Sequence, residues 1–548
     1  QKAFQRAIEE QKRYNHNVAK ANKKIVERAN KAGKPIIMVA GHPYHIDPLI
    51  HQKVSHILTD LGVYVINEQI TKESQGVDFS RYYTISQWEY PNRILQAMEW
   101  VSKQPFEVGF VQLNSFGCGL DTIIMNELKL FAASRRISYA WIRIDEIATP
   151  GSIKLRLRSF VESITLKRKQ QQTTVQKKAK PTEQRALFEK EDRERTILFP
   201  WFSEFYSSFA PTLAKQVGYR FENLPPSDQE SIQTGLKCAH NEVCYPATLV
   251  VGDFIKALQS GKYDRDKIAI GITQTGGQCR ATNYLSLIKR AMDQIGFHDV
   301  PLIGLGAPNA IFNEQPGFDV PWLKILKPTF ITLLFADSLS EIYYATVSKE
   351  EDGTQSKALK DKYIELAKEL VEKKESRKLF KLLEDAITEF NQVPIAYPNP
   401  KTVGIVGEIY LKYNSFAQYY IIDWLIENHI EVRIPPLLEF MIQAFVNGEV
   451  QRKEFIAKKK GLYWGEAIVE LLSNHYIEKM EKVKKQFRYY TPGDSIREAA
   501  AMGEEILNLN HQFGEGWLIP SEIVGFIKKG INDVICLQPF GCIANHVI

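Results

Sequence analysis

Short apolar runs alternate with amphipathic helical patterns along most of this chain, and that alternation limits what it can fold into more than any other feature. In the first third, PIIMVA reads as a strand, GHPYHIDP as a loop, residues 49–61 as a helix and GVYVINE as the next strand. Residues 91–103 then look helical, EVGFVQL is a strand, NSFGCG a loop, DTIIMNELKLFAAS a helix and SYAWIRIDE a strand. Short, uniformly apolar strands separated by helices belong in a parallel sheet covered on both faces. The pattern starts again at TILFPWFSEFYSSF and once more at TVGIVGEIYLKYN. The expected class is α/β, with three Rossmann-like units whose parallel sheets surround a central cleft.

Punctuation divides the chain. Residues 1–30 read as a polar helix with a sparse apolar stripe (Phe4, Ile8, Val18, Ile25), ended by Gly33-Lys34-Pro35, and lead into a first domain over 1–165. Residues 166–195 are charged and poor in large apolar side chains after Leu166, which reads as a linker. Its basic run could hold an anion such as a coenzyme's phosphates, although composition favours a solvated linker. A second α/β domain follows over 196–393. In it PTFITLLFADSL reads between helix and strand, and residues 350–391 read as long charged helices. The proline-rich hinge from Pro394 to Pro400 opens a third domain, 394–548, with YYIIDWLIEN as helix, IEVRIPP as strand and VICL as last strand. A parallel strand normally feeds a returning helix, and the chain opens on Gln1, so it reads as part of a longer protein.

A net charge of +6 over 548 residues, without a nucleic-acid-reading motif, argues against a nucleic-acid partner. Neither an apolar run of about 18 residues nor a secretory leader is visible, so no membrane span is expected and the cytoplasm is the expected location. Six cysteines are too few for a disulfide scaffold, and they should stay reduced.

These cysteines are read as lying in loops at element boundaries. Cys118 and Cys542 each close a strand end followed by Phe-Gly-Cys, in LNSFGC and LQPFGC. Cys238 precedes Cys244 with five residues between them, as Cys536 precedes Cys542, and Cys279 follows the strand IAIGIT and the pair Gly276-Gly277. Ligands of doubly wound sheets bind outside the carboxyl ends of the strands, so three such ends facing one another would pool their thiols. Iron–sulfur clusters need thiolates approached by backbone N–H groups, which neighbouring glycines (Gly117, Gly119, Gly276, Gly277, Gly541) permit. Tight Cys-x2-4-Cys pairs of a structural zinc site are absent. Individually, each cysteine could instead be an incidental buried residue.

GHPYHIDP, LNSFGCGLD, NEVCYPA, TQTGGQCRATNY, VGEIYLKY and LQPFGC together resemble the 2-hydroxyacyl-CoA dehydratase and double-cubane cluster protein superfamily, notably the dehydratase-like part of large activase-fused proteins. The resemblance spans nearly the whole chain. It implies α/β domains around iron–sulfur ligands and a separate or upstream ATP-hydrolysing activase that donates low-potential electrons. It places Cys118, Cys244, Cys279, Cys536 and Cys542 on motif cysteines, with Cys238 the less secure sixth ligand. The implied cofactor is a double-cubane [8Fe-9S] cluster, or a single [4Fe-4S]. The implied activity is reduction of a small molecule, or dehydration of an acyl-CoA through a ketyl radical. The other reading is a non-catalytic cluster-bearing module. A homodimer matching a two-fold activase is expected.

Further candidates carry weaker signals. His42, His45 and Asp47 could be a metal trio or proton donors, or residues framing a strand-to-helix turn. His240 and Glu242 could deliver protons or cap a loop, Arg280 could offset cluster charge, and Glu408 at a strand end could be catalytic or structural. No Walker-type loop occurs, so ATP hydrolysis is expected on another domain or protein.

Overall fold

In a computed structural model the described residues are 2–73, 82–84, 88–145, 149–171, 185–240, 242–275, 279–306, 313–456 and 463–544. They form two compact units, 1–184 and 185–548. The first holds a parallel four-stranded sheet of β1 (Ile36–Ala40), β2 (Tyr64–Asn67), β3 (Val108–Ser115) and β4 (Tyr139–Ile144), in the order β2-β1-β3-β4. Its strands feed two cores by alternation. Ile36, Met38, Val108 and Phe110 pack on one face, while Ile37, Val111 and Leu113 pack on the other.

The second unit contains two sheets. β5 (Thr196–Phe199), β6 (Arg220–Asn223), β7 (Ile268–Thr273) and β8 (Leu302–Leu305) repeat the same parallel order, β6-β5-β7-β8. β9 (Thr402–Gly407), β10 (Glu431–Arg433) and β11 (Asp533–Leu537) give β10-β9-β11. In every sheet the first strand therefore lies between the second and the third. Connections leave it in opposite directions, which makes the gap between the first and third strands the topological switch point. The expected α/β class with three parallel sheets is what the molecule has.

Two expectations about organisation differ from the structure. Residues 185–195, read as the end of a linker, are built into the second unit: Phe188 is fully buried beside Ile197 and Tyr219, and Arg185 pairs with Asp293 at 2.7 Å. The charged composition concealed one apolar anchor and one buried guanidinium. The front of that stretch continues the helix Pro150–Gln171, and 172–184 lie outside the described residues. PTFITLLFADSL is wholly helical within Trp322–Val347, despite Pro328. That helix carries Ile331, Leu334, Phe335 and Leu339 into the core of the third sheet, beside Val403, Ile405 and Val432. Packing on both sides overrides the β-branched local signal, and the two C-terminal α/β segments share one core.

Candidate functional site

Each third strand leads to a cysteine. After β3, Phe116-Gly117 turns the chain, with Gly117 at φ 72°, and the Cys118 N–H donates to the Ser115 carbonyl at 3.0 Å. After β11, Phe540-Gly541 makes the same turn, with φ 78° at Gly541 and a 3.3 Å bond from the Cys542 N–H to the Pro539 carbonyl. A β-carbon is disfavoured at such φ, so both turns call for glycine. After β7, Cys279 caps the short turn Arg280–Asn283. Gly276 and Gly277 lie outside the described residues.

In the second unit the loops following β7 and β11 meet a third cysteine loop. The helices Gln229–Cys238 and Tyr245–Gln259 form a hairpin so close that a β-carbon on Gly252 would lie 1.8 Å from the Ser231 carbonyl oxygen, and one on Gly235 2.0 Å from that of Thr248. This pair of contacts, missed in the sequence although both glycines interrupt helical patterns, fixes where Cys244 begins its helix. A β-carbon on Gly541 would lie 2.8 Å from an Arg280 Nη and 3.4 Å from the Cys244 Cα, and the Tyr245 N–H reaches the Phe540 carbonyl at 3.4 Å. Cys279 is close enough to Cys244 and Cys542 to respond to their charges.

Donors converge on these sulfurs. Against burial, which raises both thiols, backbone hydrogen bonding at Ala247 and Ala281 lowers Cys244 and Cys279 respectively, and Tyr284 Oη lies 3.0 Å from Cys244 Sγ. Arg280, buried, donates to the Glu242 carbonyl at 3.3 Å, while its Nε is buried with no hydrogen-bond partner among the described residues. Burial pushes the Cys244 thiol up, opposed by the Arg280 charge. Burial and then the Glu515 carboxylate push Cys279 well above the thiol range. Without a metal these thiols keep their protons, and ligation would release them.

The acids around this site were only partly foreseen. Glu408, the first residue after β9, accepts from the Leu411 N–H at 3.0 Å, and Glu515 Oε1 accepts from the Ile409 N–H at 2.7 Å. Burial, then the neighbouring Glu515 charge, lifts Glu408 to about 8. Lys412 and Glu522 form a buried pair at 2.8 Å close by. Glu515, Tyr284 and Lys412 carried no sequence signal. They are single polar residues in apolar or mixed stretches, and only packing brings them to the site.

Cys238 stands differently from its expected loop, whereas Cys536 lies within the expected last strand VICL rather than in a loop. Cys238 is the last residue of its helix, packed against the apolar core near Ile232 and Tyr245, and burial raises its thiol. Cys536 lies inside β11 opposite Val406, exposed, with Gln538 Nε2 at 3.7 Å. Their matching five-residue gaps reflect a helix end in one case and a strand in the other. The Glu242 N–H donates to His240 Nδ1 at 3.2 Å, which makes this pair part of the loop before Cys244.

In the first unit, His42 follows β1 and Cys118 caps the helix Gly119–Arg135. His42 Nε2 lies 2.9 Å from Asp121 Oδ1 and 3.8 Å from Cys118 Sγ. Burial opposes protonation of His42, but Asp121 and then Cys118 hold it up at about 10. Of the two readings of His42, His45 and Asp47, the structure has His45 and Asp47 framing the turn after β1 rather than completing a metal trio. His45 Nδ1 accepts from the His42 N–H at 3.0 Å, its Nε2 faces Ser115 Oγ at 3.0 Å, and Asp47 Oδ1 accepts from the Leu49 N–H at 2.8 Å. Spacing along a loop placed three residues together; the turn aims only His42 at the site.

Residues 1–70 match the family model described as the CoA enzyme activase uncharacterised domain (DUF2229), a family tied to 2-hydroxyacyl-CoA dehydratase and activase proteins. The match covers β1, His42 and β2, and is consistent with the resemblance carried by the cysteine motifs. Over those residues it supports an activase-associated role. No curated protein and no solved structure matches the chain. Among the described residues no helix is long and apolar enough to cross a membrane.

Proposed function

We propose that the second unit binds an iron–sulfur cluster through Cys244, Cys279 and Cys542 and serves as a low-potential oxidoreductase supplied by an ATP-hydrolysing activase. The observation carrying this reading is the meeting of three cysteine loops, two of them following strands of different sheets, with Tyr284 Oη on one sulfur and the buried Arg280 beside them. A tetrahedral zinc site holds its thiolates ~3.8 Å apart. These three do not close to within 4.8 Å of one another as a set. A cluster, which interposes its own iron and sulfide, suits that wider spacing. The orphaned Arg280 Nε and the glycine turn at Gly541 fit an anionic group beside them.

Such a group, when bound, supplies one-electron chemistry at low potential. The protein's part is to stabilise its charge through Arg280 and Tyr284, and to keep a proton on the Glu408 carboxyl at neutral pH. Three thiolates favour one [4Fe-4S] over the double cubane, which would also need Cys118, Cys238 and Cys536 in one place. An open iron then leaves room for a small molecule or acyl-CoA. A homodimer would present two such sites to a two-fold activase.

Anaerobic reconstitution should give brown protein with about four irons and four sulfides per chain, and turnover should require an activase, ATP and a strong reductant. About eight irons would restore the double cubane; zinc without iron would end the cluster reading. Cluster binding without turnover on any acyl-CoA would leave the non-catalytic module.

A further inference from the structure

The first unit has a polar constellation that the thiol site of the second does not use. His42 Nε2, Cys118 Sγ and one Asp121 carboxylate oxygen all lie within 4.8 Å of one another. His42 and Asp121 are buried, and Cys118 is partly so. They stand at the ends of β1 and β3, the switch point of that sheet.

Protein atoms alone do not satisfy this arrangement. A single imidazole nitrogen, Nε2, faces both the Asp121 oxygen and the Cys118 sulfur, and one N–H serves only one of them well. The second carboxylate oxygen, Asp121 Oδ2, is buried with no hydrogen-bond partner among the described residues. A fully buried, half-partnered carboxylate costs stability unless something positive fills the gap.

We propose that His42, Cys118 and Asp121 bind a divalent transition ion of the zinc type, with all three protein ligands drawn from the first unit. One imidazole, one thiolate and one carboxylate form the mixed N/S/O set such an ion accepts, whereas magnesium and calcium prefer oxygen alone. Ligand bonds of about 2.0–2.3 Å put tetrahedral donors ~3.3–3.8 Å apart. The His42 to Cys118 distance of 3.8 Å already fits, and the 2.9 Å contact to Asp121 needs only slight opening. Three protein ligands leave a fourth position for water or a substrate atom, the pattern of catalytic rather than structural zinc. Outer contacts hold the imidazole: its ring stacks on Tyr44 at 5.4 Å and meets the edge of Tyr90 at 5.6 Å, and Tyr44 Oη rests on Ser115 Oγ at 3.2 Å.

The test uses the full chain, reduced, anaerobic and stripped of metal by a chelator, titrated with cobalt(II). Wild type should bind one more equivalent of cobalt than His42→Ala or Asp121→Asn. The missing equivalent should carry both a tetrahedral ligand-field spectrum and a thiolate-to-cobalt absorption. Either substitution should weaken that equivalent by more than the 10–100-fold typical of lost outer partners. Asp121→Asn conserves volume. Should it fail to fold by circular dichroism, His42→Ala and the partly exposed Cys118→Ser decide. Iron taken up on cluster reconstitution should be unchanged in His42→Ala, so failure of the cluster reading leaves this result intact. Equal cobalt stoichiometry and affinity in wild type and His42→Ala would overturn the proposal. So would loss of iron, but not of cobalt, in Cys118→Ser, which would return Cys118 to the cluster.

Discussion

The turns Ser115–Cys118 and Pro539–Cys542 are nearly the same object in two sheets. Each follows the third strand of a 2-1-3 order, carries Phe-Gly-Cys, bends at a glycine with φ near 75° and is closed by the same N–H to carbonyl bond. Their surroundings diverge. Beside Cys118 the neighbouring first strand ends in His42, and Asp121 comes up from the helix that Cys118 caps. The Cys542 turn instead presses on Arg280 and the Cys244 loop, and its neighbouring first strand ends in Glu408. One local motif thus stands beside an imidazole and a carboxylate in one sheet and beside further cysteine loops in another. What surrounds it is set by the adjacent strand and the facing loop.

Removing each cysteine one at a time should separate the two turns most. Cys542→Ala should abolish most iron uptake, and Cys118→Ala should leave it near wild type while removing one cobalt equivalent; equal iron loss in both would mean that the two turns serve a single cluster. Next in size is Lys412→Met, which strands Glu522 without its buried partner. The expected loss is about 3–5 kcal/mol in chemical denaturation, and a loss under about 1 kcal/mol would show that the acids near Glu408 are neutralised some other way.

Glu408 sharpens the contrast through pH. Its folded carboxyl titrates near 8, above an ordinary carboxyl, so the folded state holds a proton that the unfolded state has already released. Its contribution is fully present below about pH 4.5, the unfolded value, and fades as pH rises towards 8. Glu408→Gln should therefore lose less stability than wild type between pH 5 and about 8; parallel stability profiles in that window would show that Glu408 is ionised in the folded protein.

A smaller effect is expected at the Cys542 turn itself. Alanine at Gly541 pays about 1–2 kcal/mol for left-handed backbone, and its β-carbon meets Arg280 at 2.8 Å. Gly541→Ala should lower the melting temperature, and an unchanged value would show that the turn yields without cost. Smallest of all, Tyr284→Phe removes the 3.0 Å contact to Cys244 and should cost about 1 kcal/mol. The clearer readout is spectroscopic: a cluster ligated by Cys244 should shift its reduction potential when that hydroxyl goes, and an unchanged potential would take Tyr284 out of the site.

Local sequence makes most of the strands, the parallel class and the two Phe-Gly-Cys turns legible, but not the edge strand Arg220–Asn223. Alternating apolar runs must be covered on both faces, and a turn needing positive φ must use glycine, whatever surrounds it. It also singled out Cys244, Cys279 and Cys542, because a cysteine at an element boundary is visible in the pattern. It misplaced Cys238 in a loop; Cys536 does lie in the strand VICL, and the equal five-residue gaps of the two cysteines do not mean equal geometry. His45 and Asp47 frame the turn after β1, as their loop suggested, but nothing local told what His42 would meet. Its partners Cys118 and Asp121 arrive from beyond residue 115, through the pairing of β1 with β3. Tyr284, Lys412, Glu515 and the Gly235–Gly252 helix contact were settled only by tertiary structure. A buried polar group or a missing β-carbon acquires its meaning from what packs against it, and that neighbour lies far away in the chain.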